Sequence, residues 1–142
     1  MVHLSHSVEQ TESIAAELAA TLVAGDFVAL EGPLGAGKTQ FVRGLAVALG
    51  ANPRAVSSPT FVLLNIYRGG RLTLFHLDAY RTAGAGDFES IGFLELLEQQ
   101  GIVVVEWADR IEKILPGRRI RVVIEVVGEN DRSLTIERVG EP

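Results

Sequence analysis

GPLGAGKTQF, residues 32–41, is the stretch on which the reading of this chain turns. It fits G-x-x-x-x-G-K-[ST], with Gly32, Gly37, Lys38 and Thr39 at the fixed positions. The chemistry asks for each residue type. Gly35 and Gly37 allow backbone conformations closed to residues with a Cβ. Successive N–H groups around Ala36 then turn toward anionic oxygens. A helix starting at Lys38-Thr39-Gln40 adds the positive end of its dipole. Lys38 brings a mobile charge for outer phosphates, and the Thr39 hydroxyl can ligate Mg²⁺. These features predict a nucleotide-phosphate site.

The flanks suit that reading. Phe27 to Leu30 is a short apolar strand entering the loop. A helix from Lys38 to about Leu49 leaves it, with Val42, Leu45, Ala46 and Leu49 on the buried face. Upstream, a helix is expected from Ser7 to about Ala24. Ser7 and Gln10 form a capping box, and Thr11, Ile14, Ala15, Leu18, Ala19 and Leu22 make its stripe. Downstream, Gly50 to Pro59 reads as a loop. Phe61–Tyr67 and Leu72–Asp78 read as strands joined at Arg68-Gly69-Gly70-Arg71. Thr82 to Asp87 is rich in Gly and Ala, and a short helix is expected over Phe93 to Gln99. Ile102 to Val105 reads as a strand buried on both faces. One helical turn is expected at Ile111–Leu115. Arg119–Val127 and Ser133–Val139 would close the chain as a hairpin. The predicted fold is α/β: a P-loop NTPase-like, three-layer arrangement with a mixed sheet, parallel in its centre and ending in antiparallel hairpins.

Size and charge bound the function. A length of 142 residues predicts one domain, residues 1–142, with no room for a separate substrate domain. The net charge of −5 argues against the chain being the main nucleic-acid contact. Arg118, Arg119, Arg121 and Arg132 could still form a local basic patch. The absence of Cys excludes disulfides, cysteine-ligated zinc and thiol catalysis, and suits the cytoplasm. MVHLSHSVEQ has no signal-peptide pattern, and no apolar run is long enough to span a bilayer.

A Mg-triphosphate site needs carboxylates at the carboxyl ends of parallel strands. Asp78 and Glu106 each end an apolar run. One would face Mg²⁺ and the other would position the attacking water, and the sequence leaves open which does which. Glu106 is expected to face solvent. His76 shares a strand face with Asp78 and reads as a hydrogen-bonded structural histidine. Trp107, the sole tryptophan, reads as packing or as a cover for nucleotide or partner. Ser58 and Thr60, in Ser57-Ser58-Pro59-Thr60, follow the second helix. They could read the terminal phosphate and reorder when it leaves.

GPLGAGKT, SSPTF, HLDAYR and VVVEW, in this order in so short a chain, closely resemble the bacterial TsaE (YjeE) ATPases. The likeness extends from the first helix to at least Trp107. It implies an ATP-hydrolysing subunit in the making of threonylcarbamoyladenosine in tRNA. Such a subunit works with the threonylcarbamoyl-transferring enzyme and its companion subunit, touching tRNA only indirectly and no membrane. Lys38 and the loop amides would then hold the phosphates, Thr39 and Glu106 the Mg²⁺, and Asp78 would serve in hydrolysis. Ser58-Pro59-Thr60 would be a switch segment, Thr11 would lie near the base or ribose, and Arg132 would approach the nucleotide. Two other readings of the loop are a small-molecule kinase and a non-catalytic switch module.

Overall fold

The computed structural model describes residues 1–33, 35–51, 64–68, 70–79 and 101–140. In chain order its elements are β1 (Val2–Ser5), α1 (Val8–Ala19), β2 (Phe27–Glu31), α2 (Lys38–Ala48), β3 (Leu64–Tyr67), β4 (Thr73–Asp78), β5 (Gly101–Glu106), a 3₁₀ helix (Ala108–Ile114), β6 (Arg119–Val126) and β7 (Arg132–Val139). The strands form one seven-stranded sheet in the order β1-β7-β6-β2-β5-β4-β3. β2 sits at its centre with β5 and β6 parallel on either side, and β4 runs parallel beside β5. The edges are antiparallel: β3 returns on β4, β7 on β6, and β1 on β7.

Alternation along the central strands sorts side chains onto two cores. Val28, Leu30, Leu74, Ile102, Val104, Val122 and Ile124 pack with Ala15, Leu18, Phe41, Val42 and Leu45 of the two helices. On the other face Phe27, Ala29, Phe75, Leu77, Val103 and Val105 pack with Ala108 and Ile111 of the 3₁₀ helix. β5 is buried along its whole length, as its unbroken apolar run requires. The result is an α/β fold of helix, sheet and helix layers with a centrally parallel mixed sheet.

Several expectations need correction. β1 precedes the first helix; its Val2 and Leu4 stay exposed and only Ser5 is buried, so it carries little hydrophobic signal. α1 stops at Ala19, short of Ala24. Leu22 is buried in the turn that follows, which prolongs the apolar stripe beyond the helix. Ser7 is the N-cap and accepts from the Gln10 amide at 3.1 Å, but Gln10 Oε1 reaches back to the His6 amide, not to that of Ser7. The turn expected at Ile111–Leu115 is the second half of a longer 3₁₀ helix, kinked at Ile111. The expected loop beyond Ala51, the segment Thr82–Asp87 and the helix Phe93–Gln99 lie outside the described residues.

α1 and α2 cross backbone to backbone at Gly44. A Cβ there would meet Glu12 O at 2.6 Å and Ala15 Cβ at 2.8 Å. Gly44→Ala is therefore expected to destabilise the fold by about 1–3 kcal/mol through overpacking. A thermal melt showing no loss of Tm would contradict this close crossing.

Candidate nucleotide site

The topology brings distant parts of the chain to one edge of the sheet. The carboxyl ends of the parallel strands β2, β4, β5 and β6 lie together, with the end of β1 and the start of β7 beside them. The glycine loop leaves β2 at this edge. Gly32 lies so close to β6 that a Cβ would stand 2.6 Å from the Ile124 carbonyl oxygen. Gly35 and Gly37 adopt φ of 79° and 105°, a region that L side chains rarely enter. Gly37 is the N-cap of α2, so Lys38 and Thr39 occupy its first turn.

Lys38 is buried, and its Nζ donates to Gly32 O at 2.6 Å and to Pro33 O at 2.8 Å. The face of Trp107 covers the ammonium, with Nζ 4.0 Å from the ring centroid. Desolvation holds the Lys38 pKa below its ordinary value, while the charges of Glu106, Asp78 and Asp109 oppose that shift. Trp107 adopts φ 59° and ψ 39°, the only non-glycine positive φ among the described residues. A bulky residue held there costs on the order of 1–3 kcal/mol, and its ring contact with the lysine is the visible return.

The two strand-end acids are register partners. Asp78 pairs with Glu106 across the β4–β5 ladder, and both sit on the α1–α2 side of the sheet with His76 and Val104. They are 6% and 3% exposed respectively. Glu106 is thus not the solvent-facing acid expected from its strand-end position; His76 Nε2 lies 2.5 Å from its Oε2. His76, 0% exposed, is the hydrogen-bonded structural histidine expected, and its Nδ1 lies 3.3 Å from the Tyr67 hydroxyl.

A cavity of about 360 Å³ opens beside the loop. Thr11, Gly35, Ala36, Gly37, Gln40 and Arg132 line it, together with the turns at His6–Val8 and Glu129–Asn130. Thr11 Oγ1 is tied to Ser5 Oγ at 2.8 Å, which joins the end of β1 to α1. Arg132 bridges the last hairpin to the loop: Nε–H donates to Ala36 O at 3.1 Å and Nη2–H to Gly35 O at 3.2 Å. Its Nη1 donates to the carbonyls of Gly128 and Asp131.

The C-terminal arginines do not form the single basic patch considered above. Arg121 is paired with Glu31 and Glu137, and Arg132 is bound to the loop. Arg118 and Arg119 line a separate cavity with Arg138, at the opposite ends of β2 and β6. Ser58 and Thr60 lie outside the described residues, so their place relative to the loop is not part of this geometry.

A family model described as "Threonylcarbamoyl adenosine biosynthesis protein TsaE" matches residues 5–134. The chain belongs to the TsaE family. The tRNA threonylcarbamoyladenosine biosynthesis protein TsaE of Bacillus subtilis is 43% identical over 132 residues, covering 93% of this chain and 82% of that protein. The proteins of the same name from Aquifex aeolicus and Treponema pallidum are 41% and 39% identical, covering 93% and 94% of this chain and 92% and 97% of theirs. The crystal structure of Bacillus subtilis YdiB superposes with a TM-score of 0.82 at 36% identity, covering 99% of this chain and 86% of that one. This TsaE-family chain has no helix among its described residues long and apolar enough to cross a membrane.

The resemblance placed Arg132 near the nucleotide, but sequence reasoning missed its bonds to the loop carbonyls and the strained geometry of Trp107. The hairpin that carries Arg132 was legible, but nothing in its local sequence points to a loop 96 positions earlier.

Proposed function

We propose that this chain binds ATP with Mg²⁺ at the Gly32–Thr39 loop and hydrolyses it in the biosynthesis of threonylcarbamoyladenosine in tRNA. The biosynthetic role follows from family membership. The observation that carries the chemistry is the meeting of Lys38 with two buried, register-paired carboxylates at the edge where the loop leaves β2.

Two of the three Lys38 ammonium protons are spent on loop carbonyls, which fixes the charge at the mouth of the cradle and leaves one donor for an outer phosphate. Two carboxylates, Asp78 and Glu106, meet beside Lys38 at the edge where the loop leaves β2, a donor set that suits a divalent cation. Mg²⁺ is commonly held by one or two carboxylates with waters and substrate phosphates, which is what this pair could offer. Thr39 and Glu106 would hold the ion, and Asp78 would orient the attacking water. Bound there, Mg²⁺ supplies neutralisation of charge on the phosphate oxygens. The cavity bordered by Thr11, Gln40 and Arg132 would take the nucleoside. Its volume falls within the range usual for small-molecule sites.

The partners in this reading are the threonylcarbamoyl-transferring enzyme and its companion subunit, in the cytoplasm. Hydrolysis by the isolated chain would be slow, because a partner can complete the stabilisation of the transition state. Co-purification from a lysate with and without ATP tests this. Recovery of the tRNA-modifying subunits is expected; their absence in both arms would count against the complex.

Arg132→Ala tests the cavity separately. Loss of its bonds to Gly35 O and Ala36 O frees the loop, so nucleotide affinity is expected to fall about five- to tenfold through lost preorganisation. The sole tryptophan, over Lys38, gives a fluorescence readout for that titration. Parent-like affinity would show that the hairpin does not support the cradle.

A further inference from the structure

We infer that His76 is a positioning residue for the Mg²⁺ site: it holds Glu106 by one oxygen and leaves the other for the metal. The inference rests on the proposed function. A relay of three buried groups runs inward from the β3–β4 hairpin: the Tyr67 hydroxyl to His76 Nδ1 at 3.3 Å, and His76 Nε2 to Glu106 Oε2 at 2.5 Å. Tyr67, His76 and Glu106 are 5%, 0% and 3% exposed, so water does not compete freely for these contacts.

A carboxylate only accepts, so Nε2–H donates to Oε2 of Glu106. The Tyr67 hydroxyl lies beside the other ring nitrogen, Nδ1, and braces the imidazole from its far side. The sheet register makes the alignment rigid. Asn65 pairs with His76, His76 with Val104 and Asp78 with Glu106, so the imidazole and both acids are fixed on adjacent strands. Oε1 of Glu106 has no hydrogen-bond partner among the described residues. One oxygen anchored and one presented is the arrangement by which outer groups orient metal-binding carboxylates, and losing such a group typically costs 10–100-fold in metal affinity.

The test titrates Mg²⁺ into the protein with ADP, reading Trp107 fluorescence, alongside ADP binding in EDTA. His76→Leu is expected to weaken Mg²⁺ about tenfold while metal-free ADP binding stays at the parent value. His76→Gln keeps an N–H at the place of Nε2 and should retain Mg²⁺ affinity within about threefold. His76→Asn, whose amide matches Nδ1, should lose about tenfold. The Gln and Asn pair carries the test if the Leu variant does not fold. Equal Mg²⁺ affinity in parent, Leu and Asn proteins would overturn the inference while leaving the proposed function standing. An equal fall in metal-free ADP binding would also overturn it, as the sign of a purely structural role. A parent whose nucleotide binding ignores Mg²⁺ would remove the proposed function and this inference together.

Discussion

Lys38→Ala is expected to cut ATP turnover by at least about 100-fold and to weaken nucleotide binding. The magnitude follows from what the side chain is asked to do. One preorganised donor aimed at developing charge in a dry site is typically worth 10²–10³ in rate. Lys38 is such a donor, held by Gly32 O and Pro33 O and capped by the Trp107 ring. The fold should survive. Removing the lysine forfeits two hydrogen bonds and a ring contact, but it also relieves the burial of a charge whose desolvation already depresses its pKa. These effects oppose one another, so the melting temperature should move by only a few degrees. Lys38→Arg should be nearly as inactive, since a planar fork cannot reproduce a point charge seated between two carbonyls. Phosphate release, tryptophan fluorescence and a thermal melt on the three proteins check this. Parent-like turnover in Lys38→Ala, with the fold intact, would remove the loop from the reaction.

How much of this was legible depends on the distance over which each feature is determined. The loop, β2 and α2 are local: glycines at fixed spacing, then an apolar strand and a stripe at helical period. β5 was legible for the same reason, since burial on both faces writes itself as Ile102-Val103-Val104-Val105. β1 was not, because an edge strand that buries only Ser5 needs no apolar pattern and is recruited by β7. The burial of Glu106 was also invisible. A strand-end acid looks exposed until the register with β4 places His76 beside it, and that pairing spans 30 positions. The bridge from Arg132 to Ala36 belongs to the same class, a contact made by sheet order and not by neighbouring residues. Local chemistry thus named Lys38, Asp78 and Glu106 as candidates, and long-range topology decided that they meet and how they are held.

That distinction bears most on Glu106. A solvent-facing acid could be cut to alanine without consequence for the fold, but the acid in this structure cannot. Glu106→Ala would strand the buried His76 Nε2–H without its acceptor, at a cost of about 1–3 kcal/mol. For a chain of this size that is a loss of several degrees in Tm. Glu106→Gln separates the two roles. Its amide oxygen still accepts from His76, so the melt should stay near the parent's. Its neutral head is a poor Mg²⁺ ligand, so Mg²⁺-dependent turnover should fall at least about 100-fold. Asp78→Asn is the partner measurement, because Asp78 pairs with Glu106 across the ladder and its charge also acts on Lys38. If Glu106 is the ligand and Asp78 orients water, Asn at 78 should lower turnover while largely keeping Mg²⁺ affinity, and Gln at 106 should lower both. The reverse pattern would exchange the two roles. Full turnover in Glu106→Gln would show that the metal is held elsewhere, and the pairing of His76 with Glu106 would then serve only the β4–β5 ladder.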